Sequence, residues 1–394
     1  MKYDFDEIIN RRGTSSYKWD KLKELFGRDE LLPMWVADMD FKSPPAVIEA
    51  LTERAKHGVF GYTARSDEFY QSFMDWVMEK HGWRIKKRWV VDSPGVVPAI
   101  AIAIQAFTNP GDKILVQTPV YYPFFDVIKN NNRKLVTNEL LYVNGHYEMD
   151  FNALESEIDG KTKMLILCNP HNPVGRVWSK TELKKLGEIC LRKGIIVVSD
   201  EIHSDIVYSE SKHTPFASIS NDLAEISITC MAPSKTFNIA GLETSLTIIP
   251  NNELRKSFEG RLYDQLSLKL GNIFGIYATE AAYRHGKEWL DELLDYLEDN
   301  RNFAIEYIND NIPGVKPVRP EGTYLMWLDF RELGLSDKEL QRLMIHKAGI
   351  ALTHGPVFGK GGEGFQRLNF ACPRTLLKRG LKMIERAVKE LKDD

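Results

Sequence analysis

The chain has 394 residues, 43% of them hydrophobic and 27% charged, with a formal net charge of −3. That length predicts two or three domains with a sizeable core, and the charge balance argues against general electrostatic attraction to nucleic acid or to an acidic membrane. No run of about 18 apolar residues occurs, so no membrane-spanning helix is expected.

The chain starts MKYDFDEIINRRG, which is charged and lacks the apolar stretch of a secretory signal. The first 45 residues include a proline-rich segment, Ser43–Val47, ahead of the first predicted helix. From about residue 95, short apolar runs alternate with helical patterns. Strands are predicted at Ile114–Gln117, Lys163–Cys168, Ile195–Ser199, Ile226–Met231 and Ser245–Ile249. Each is rich in Val, Ile and Leu and apolar on both faces, as in a sheet covered by helices on both sides. Between them, Ser179–Arg192 reads as a helix with Leu183, Leu186, Ile189 and Cys190 on one face, a Ser179/Glu182 capping box and a stop at Gly194. This rhythm predicts an α/β fold with a mostly parallel, doubly wound sheet.

The last hundred residues read differently. A long helix is predicted over about Gly286–Ile312. Tyr324–Phe330 follows, then a helix near Ser336–Ala348, a strand near Ile350–Thr353, Gln366–Phe370, and a final helix from about Pro373. The mixture predicts a smaller α+β domain. The expected division is a large domain over 46–285 and a small one built from 1–45 and 286–394. Of the four cysteines, Cys168, Cys190, Cys230 and Cys372, no two stand at metal-ligand spacing, so no metal is indicated. Cys168 and Cys230 lie in apolar runs and read as buried, reduced thiols, which fits a cytoplasmic protein.

Ligands of doubly wound sheets bind at the carboxyl ends of the strands, so the polar residues just beyond each apolar run are the candidates. Lys235, in APSKTFNIAG, follows one such run. Most lysines are solvated, but a desolvated one has a lowered pKa and attacks aldehydes. Asp200, in VVSDEIHSD, reads alone as a turn cap, but a carboxylate ending a buried strand can also pair with a protonated pyridine nitrogen. Asn172 lies in the NPHNP turn, where its amide can serve the turn or donate to a phenolic oxygen. Ser93-Pro94-Gly95-Val96-Val97 opens an apolar helix whose free N–H groups can meet a phosphate. No GxGxxG or GxxxxGK[ST] occurs, so nucleotide phosphates are not indicated. Tyr121, in TPVYYPF, can stack on a flat ring or simply fill a loop. Together these residues form a far more specific set than any one of them.

The set resembles the fold-type I pyridoxal-5′-phosphate (PLP) enzymes of the aspartate aminotransferase superfamily, class I/II, and in detail their bacterial carbon–sulfur lyase branch, the cystathionine β-lyases. The shared segments are Arg11–Asp20, Leu32–Phe41, Gly61–Thr63, Thr118–Phe124, Asn169–Gly175, Ser199–Asp205, Ser234–Leu242 and Arg367–Arg374. The resemblance implies a seven-stranded sheet in the large domain, PLP as cofactor and a homodimer with shared sites. It implies that Lys235 is the Schiff-base lysine, Asp200 the pyridinium partner and Tyr121 the stacking aromatic. Asn172 and His203 would face the phenolic oxygen. Gly95, Val96, Val97 and Ser234 would hold the phosphate together with Tyr62 of a neighbouring subunit, and Arg367 would grip the substrate α-carboxylate. Two positions depart from the pattern: Glu243 stands where many relatives have a phosphate-binding arginine, and Ala232 where they have a serine. The implied activity is β-elimination from a sulfur amino acid. The alternatives are an aminotransferase using the same site, or a regulatory protein that keeps the fold without the chemistry.

Overall fold

A computed structural model describes residues 2–393; Met1 and Asp394, at the outer ends of the expected small domain, lie outside the described residues. The central sheet has seven strands: β1 (Val90–Ser93), β2 (Lys113–Thr118), β3 (Lys134–Glu139), β4 (Thr162–Cys168), β5 (Ile196–Asp200), β6 (Ser227–Met231) and β7 (Ser245–Ile248). Their order across the sheet is β1-β7-β6-β5-β4-β2-β3. β7 runs antiparallel to both its neighbours, and the other pairings are parallel.

Successive side chains on these strands point to opposite faces. Ile114, Val116, Met164, Ile166, Cys168 and Val198 join the core on the side of helix α1 (Val96–Phe107). Leu115, Leu165, Leu167 and Val197 join the core on the other side, with Leu183, Leu186, Ile189 and Cys190 of helix α2 (Lys180–Lys193). This is the two-sided burial that the apolar runs imply. Helix α2 is capped as its sequence specifies. Ser179 Oγ accepts from the Glu182 N–H at 3.2 Å, Glu182 Oε2 accepts from the Ser179 N–H at 2.8 Å, and Gly194 closes the helix at φ 66°.

In the last third, helix α3 (Lys287–Asn311) leads into a four-stranded antiparallel sheet of β8 (Lys316–Val318), β9 (Leu325–Asp329), β10 (Thr353–His354) and β11 (Phe365–Asn369), in the order β8-β9-β11-β10. Helix α4 (Arg374–Asp393) ends the described chain. Leu32–Pro33 pairs in parallel with Ile350–Ala351, so the N-terminal segment is joined to this part of the molecule.

Several details differ from the sequence-based expectation. The helix expected over 336–348 is α-helical only over Asp337–Arg342 and continues as a wider π turn over Leu343–Ala348. The strand expected at 350–353 is interrupted at Leu352. Strands β1 and β3 were not expected: β1 has four residues and ends Asp-Ser, and β3 (KLVTNE) is a polar edge strand that lacks the apolar signature.

Candidate active site

Strands β1, β2, β4, β5 and β6 deliver residues to one crevice at their carboxyl ends. The helix α1 start follows β1, Tyr121 follows β2, Asn172 follows β4, Asp200 ends β5, and the turn bearing Lys235 follows β6. A cavity of about 440 Å³ is lined by Gly95, Val96, Val97, Tyr121, Asn172, Asp200, His203, Ser234 and Lys235, all expected from the sequence. Ala37, Cys168, Ala232, Glu243 and Thr244 line it too.

Lys235 lies in the short helix Pro233–Thr236, and its Nζ donates to the carbonyl of Ala37 at 2.7 Å. Burial is the largest influence on the amine. With Arg367 nearby it outweighs the opposing carboxylates of Asp38 and Asp200, and the pKa falls to about 8. Burial likewise raises the Asp200 carboxyl to about 7, against the Ile202 N–H that donates to Oδ1 at 3.1 Å and against the charge of Lys235. His203 is buried, its Nδ1 has no hydrogen-bond partner, and burial together with Lys235 and Arg367 lowers its pKa to about 3, so the ring is neutral. Tyr121 is held un-ionised, its hydroxyl pushed up to about 12 mainly by burial.

The helix α1 start is bare. Its N-cap is Gly95, which offers no side-chain cap, and the first turn ends in Pro98. The N–H groups of Val96 and Val97 therefore have no intrahelical acceptor. Beside them stands Ser234, also on the cavity wall. Among the described lining residues Lys235 is the one cation, His203 being neutral, and Glu243 adds a carboxylate.

Arg367, on β11, is 3% exposed and reaches the same place from the second sheet. Its Nη1 donates to Asn172 Oδ1 at 2.9 Å, and its Nη2 to the Trp35 carbonyl at 2.8 Å and Thr353 Oγ1 at 3.1 Å. Its Nε has no partner. Among the described residues no carboxylate lies within 4.0 Å of this guanidinium, although ion pairs of that length are plentiful elsewhere in the molecule. Burial without a counter-ion lowers its pKa to about 10. A buried cation without an anion is costly, which marks the place where an anionic ligand belongs.

The Asn172 turn is brought to Arg367 by close packing. Gly175, at φ 77°, lies so near Pro320 that a Cβ would stand 2.6 Å from the proline's own, and its carbonyl accepts from the N–H groups of Glu321 and Gly322 at 2.8 and 3.0 Å. Tyr62 stands apart from the cavity. It is 95% exposed and borders a separate surface depression with Tyr263, Leu268 and Leu270. Two participants escaped the sequence reading: the Ala37 carbonyl, and Tyr324, whose hydroxyl donates to that carbonyl at 3.0 Å. A backbone acceptor has no residue-type signal, and Tyr324 reads as one more apolar member of its strand.

The donor set matches PLP: an enclosed amine for its aldehyde, a buried carboxyl for its ring nitrogen, a flat aromatic ring, and a bare helix start for its phosphate. Known proteins resemble this chain over nearly its whole length. Cystathionine beta-lyase PatB of Bacillus subtilis is 49% identical over 386 residues, 98% of this chain and all of that protein. Protein MalY of Escherichia coli is 34% identical over 99% of this chain and all of that protein. The crystal structure of cystalysin from Treponema denticola, which contains a pyridoxal 5′-phosphate cofactor, superposes with a TM-score of 0.95 at 40% identity, covering 99% of this chain and all of the other. The family model for aminotransferase class I and II matches residues 30–384, and the chain belongs to that family.

Proposed function

We propose that this chain is a PLP-dependent carbon–sulfur β-lyase that releases pyruvate, ammonia and a thiol from a sulfur amino acid. The observation that carries the reading is the convergence of the Lys235 amine, the Asp200 carboxyl and, through Asn172, the counter-ion-free Arg367 on one cavity. The 49% identity to a cystathionine β-lyase supports elimination over transamination.

When bound, PLP supplies an aldehyde that condenses with amines and a protonated ring that accepts the electron pair released at Cα. The chain's own residues do the rest. Arg367 has unsatisfied donor capacity for the substrate α-carboxylate, and a planar fork suits that pairing. It also occupies Asn172 Oδ1, which leaves the Asn172 Nδ2 to donate into the cavity. Asp200 would hold the proton on the cofactor's ring nitrogen, a pairing that its burial would strengthen. Tyr121 would stack against the cofactor ring, and His203, neutral at physiological pH, would face its phenolic oxygen. The N–H groups at Gly95, Val96 and Val97 and the Ser234 hydroxyl would hold its phosphate. With a pKa near 8, Lys235 is unprotonated often enough at neutral pH to remove the Cα proton. The electron pair left at Cα forms the Cα–Cβ double bond as the Cβ–S bond breaks, the sulfur leaves with that bond's electrons as a thiolate that takes up the proton held by Lys235, and water hydrolyses the resulting aminoacrylate to pyruvate and ammonia.

The reading includes a homodimer in which Tyr62 serves the partner's phosphate. Val59, Phe60, Tyr62, Leu266, Leu268, Leu270 and Tyr277 are exposed, and the Phe60 and Phe274 rings bring two of these segments together at 5.7 Å. An apolar surface of this extent is what a second copy would cover. We assign the large domain to 46–285 and the small one to 1–45 and 286–394, supported by the confinement of each sheet to one range. The four buried free cysteines favour a reducing cytoplasm, and no described helix is long and apolar enough to cross a membrane. Lys235→Ala tests the assignment: it should abolish turnover and the visible absorption of the lysine-bound cofactor, and retained turnover would refute it.

A further inference from the structure

Two stretches shared with the lyase branch, Arg11–Asp20 and Leu32–Phe41, supply none of the side chains assigned to the cofactor or the substrate, yet they meet beside the cavity. Arg11 donates to Asp38 at 2.7 and 3.1 Å, to Asp40 at 2.7 Å and to the Met39 carbonyl at 3.2 Å. Lys18, 1% exposed, donates to Asp40 Oδ2 at 2.7 Å and to the Asp38 carbonyl at 3.2 Å, and Trp19 Nε1 donates to Asp40 Oδ1 at 2.9 Å. Burial would raise the Asp40 carboxyl, but Lys18, Trp19 and Arg11 outweigh it and hold it below the ordinary range.

The backbone between these charges is unusually well held. From Trp35 to Met39 every carbonyl accepts a side-chain hydrogen bond. Trp35 takes Arg367 and Thr353, and Val36 takes Asn369. Ala37 takes Lys235 and Tyr324. Asp38 takes Asn369 and Lys18, and Met39 takes Asn238 and Arg11. A buried lysine and a part-buried arginine set against two carboxylates gain little net stability. What this quartet does is fix the Ala37 peptide, one residue from Asp38, against the lysine.

We propose that Arg11 and Asp38 are positioning residues for Lys235: the Arg11–Lys18–Asp38–Asp40 quartet holds the Ala37 carbonyl where it receives the free amine of Lys235, and Arg11 screens the Asp38 carboxylate from that amine. The inference rests on the catalytic reading of Lys235, because the free amine is the form that acts while substrate occupies the cofactor. The charged and titratable groups around the amine are Asp38, Asp200 and Arg367, with the neutral Tyr324 and His203 beside them.

The test is trace acetylation of the full-length, cofactor-stripped chain across pH, reading modification of the Lys235 peptide by mass spectrometry. The wild-type midpoint should lie near pH 8. Arg11→Gln, which leaves Asp38 unscreened, should raise the midpoint by about half a pH unit or more, and Asp38→Asn should lower it by a similar amount, roughly the effect of a partly screened charge. Arg11→Lys should stay close to wild type. A folded Arg11→Gln and a folded Asp38→Asn that both keep the wild-type midpoint would overturn the proposal. If Arg11→Gln does not fold, Asp38→Asn decides alone, a downward shift supporting the proposal and any other result overturning it. Whether Lys235 carries the cofactor is read separately, by borohydride reduction of the holoenzyme and the mass of the same peptide.

Discussion

Arg367→Gln separates binding from stability, because the structure assigns the two effects different sizes. In the wild type a guanidinium is buried with no counter-ion, and its pKa falls from 12.5 to about 10. At about 1.4 kcal/mol per unit this is roughly 3 kcal/mol of strain on the charged form at neutral pH. The substitution relieves that strain and gives up three hydrogen bonds from a charged donor, to Asn172, Trp35 and Thr353, worth about 1.5–3 kcal/mol each. The relieved strain offsets part of that loss, and the Gln amide can replace part of the bonding, so Tm should fall by several degrees rather than collapse. Activity has no such compensation. Removing one partner of a buried charged pair costs about 2–5 kcal/mol, which is roughly 30- to 5000-fold in kcat/KM. The assay is steady-state thiol release alongside a thermal melt, with an S-substituted cysteamine as the control substrate that carries no carboxylate. The amino-acid substrate should lose its advantage over the control. An unchanged kcat/KM in folded protein, or an equal loss on both substrates, would refute the carboxylate role of Arg367.

Other substitutions probe the rest of the site. Asp200 has a folded-state pKa of about 7 against an ordinary 3.8, so it favours the folded cofactor-free chain fully below about pH 4, and that contribution is lost as pH rises to about 7. Asp200→Asn should abolish this slope in pH-dependent melts of the cofactor-free chain and cost the holoenzyme about 10²–10³ in kcat, the scale of one lost electrostatic partner. Asp205, buried behind the site, binds His81 Nε2 at 3.0 Å, Trp76 Nε1 at 3.1 Å and Thr236 Oγ1 at 2.8 Å, next to Lys235. Burial would raise its carboxyl, but these partners lower it, so its contribution is present above about pH 4 and is lost as pH falls through the depressed value. Asp205→Asn should therefore destabilise the neutral-pH protein by about 3–5 kcal/mol and weaken the acid limb of the melting profile; an unchanged denaturation midpoint would contradict this. Tyr62→Phe should weaken PLP retention measured by dialysis while leaving the dimer intact in sedimentation, and unchanged retention would remove Tyr62 from the phosphate site.

How far the sequence reaches depends on the kind of interaction. The five strands it reveals are those whose Val, Ile and Leu runs are buried on both faces, such as Thr162–Cys168. The missed edge strand Lys134–Glu139 (KLVTNE) is mostly polar in sequence and only partly buried, so its pattern resembles a loop. Lys235, Asp200, Asn172 and Tyr121 are legible because a parallel sheet gathers the residues at its strands' carboxyl ends along one edge. Arg367 joins them from another sheet, and only its motif points to it; its lack of a counter-ion is a three-dimensional fact. The Ala37 carbonyl is invisible in sequence, since every residue has one. Its importance arises from side chains as distant as Arg11, Asn238, Tyr324 and Asn369 converging on one short segment.

The most direct test of the central claim is to incubate the PLP-loaded protein with L-cystathionine, with no keto acid added, and to assay pyruvate and free thiol. A β-lyase should form both products over many turnovers. If neither forms, and turnover on amino acids begins only when a keto acid is supplied, the β-lyase assignment is contradicted and the site is that of an aminotransferase.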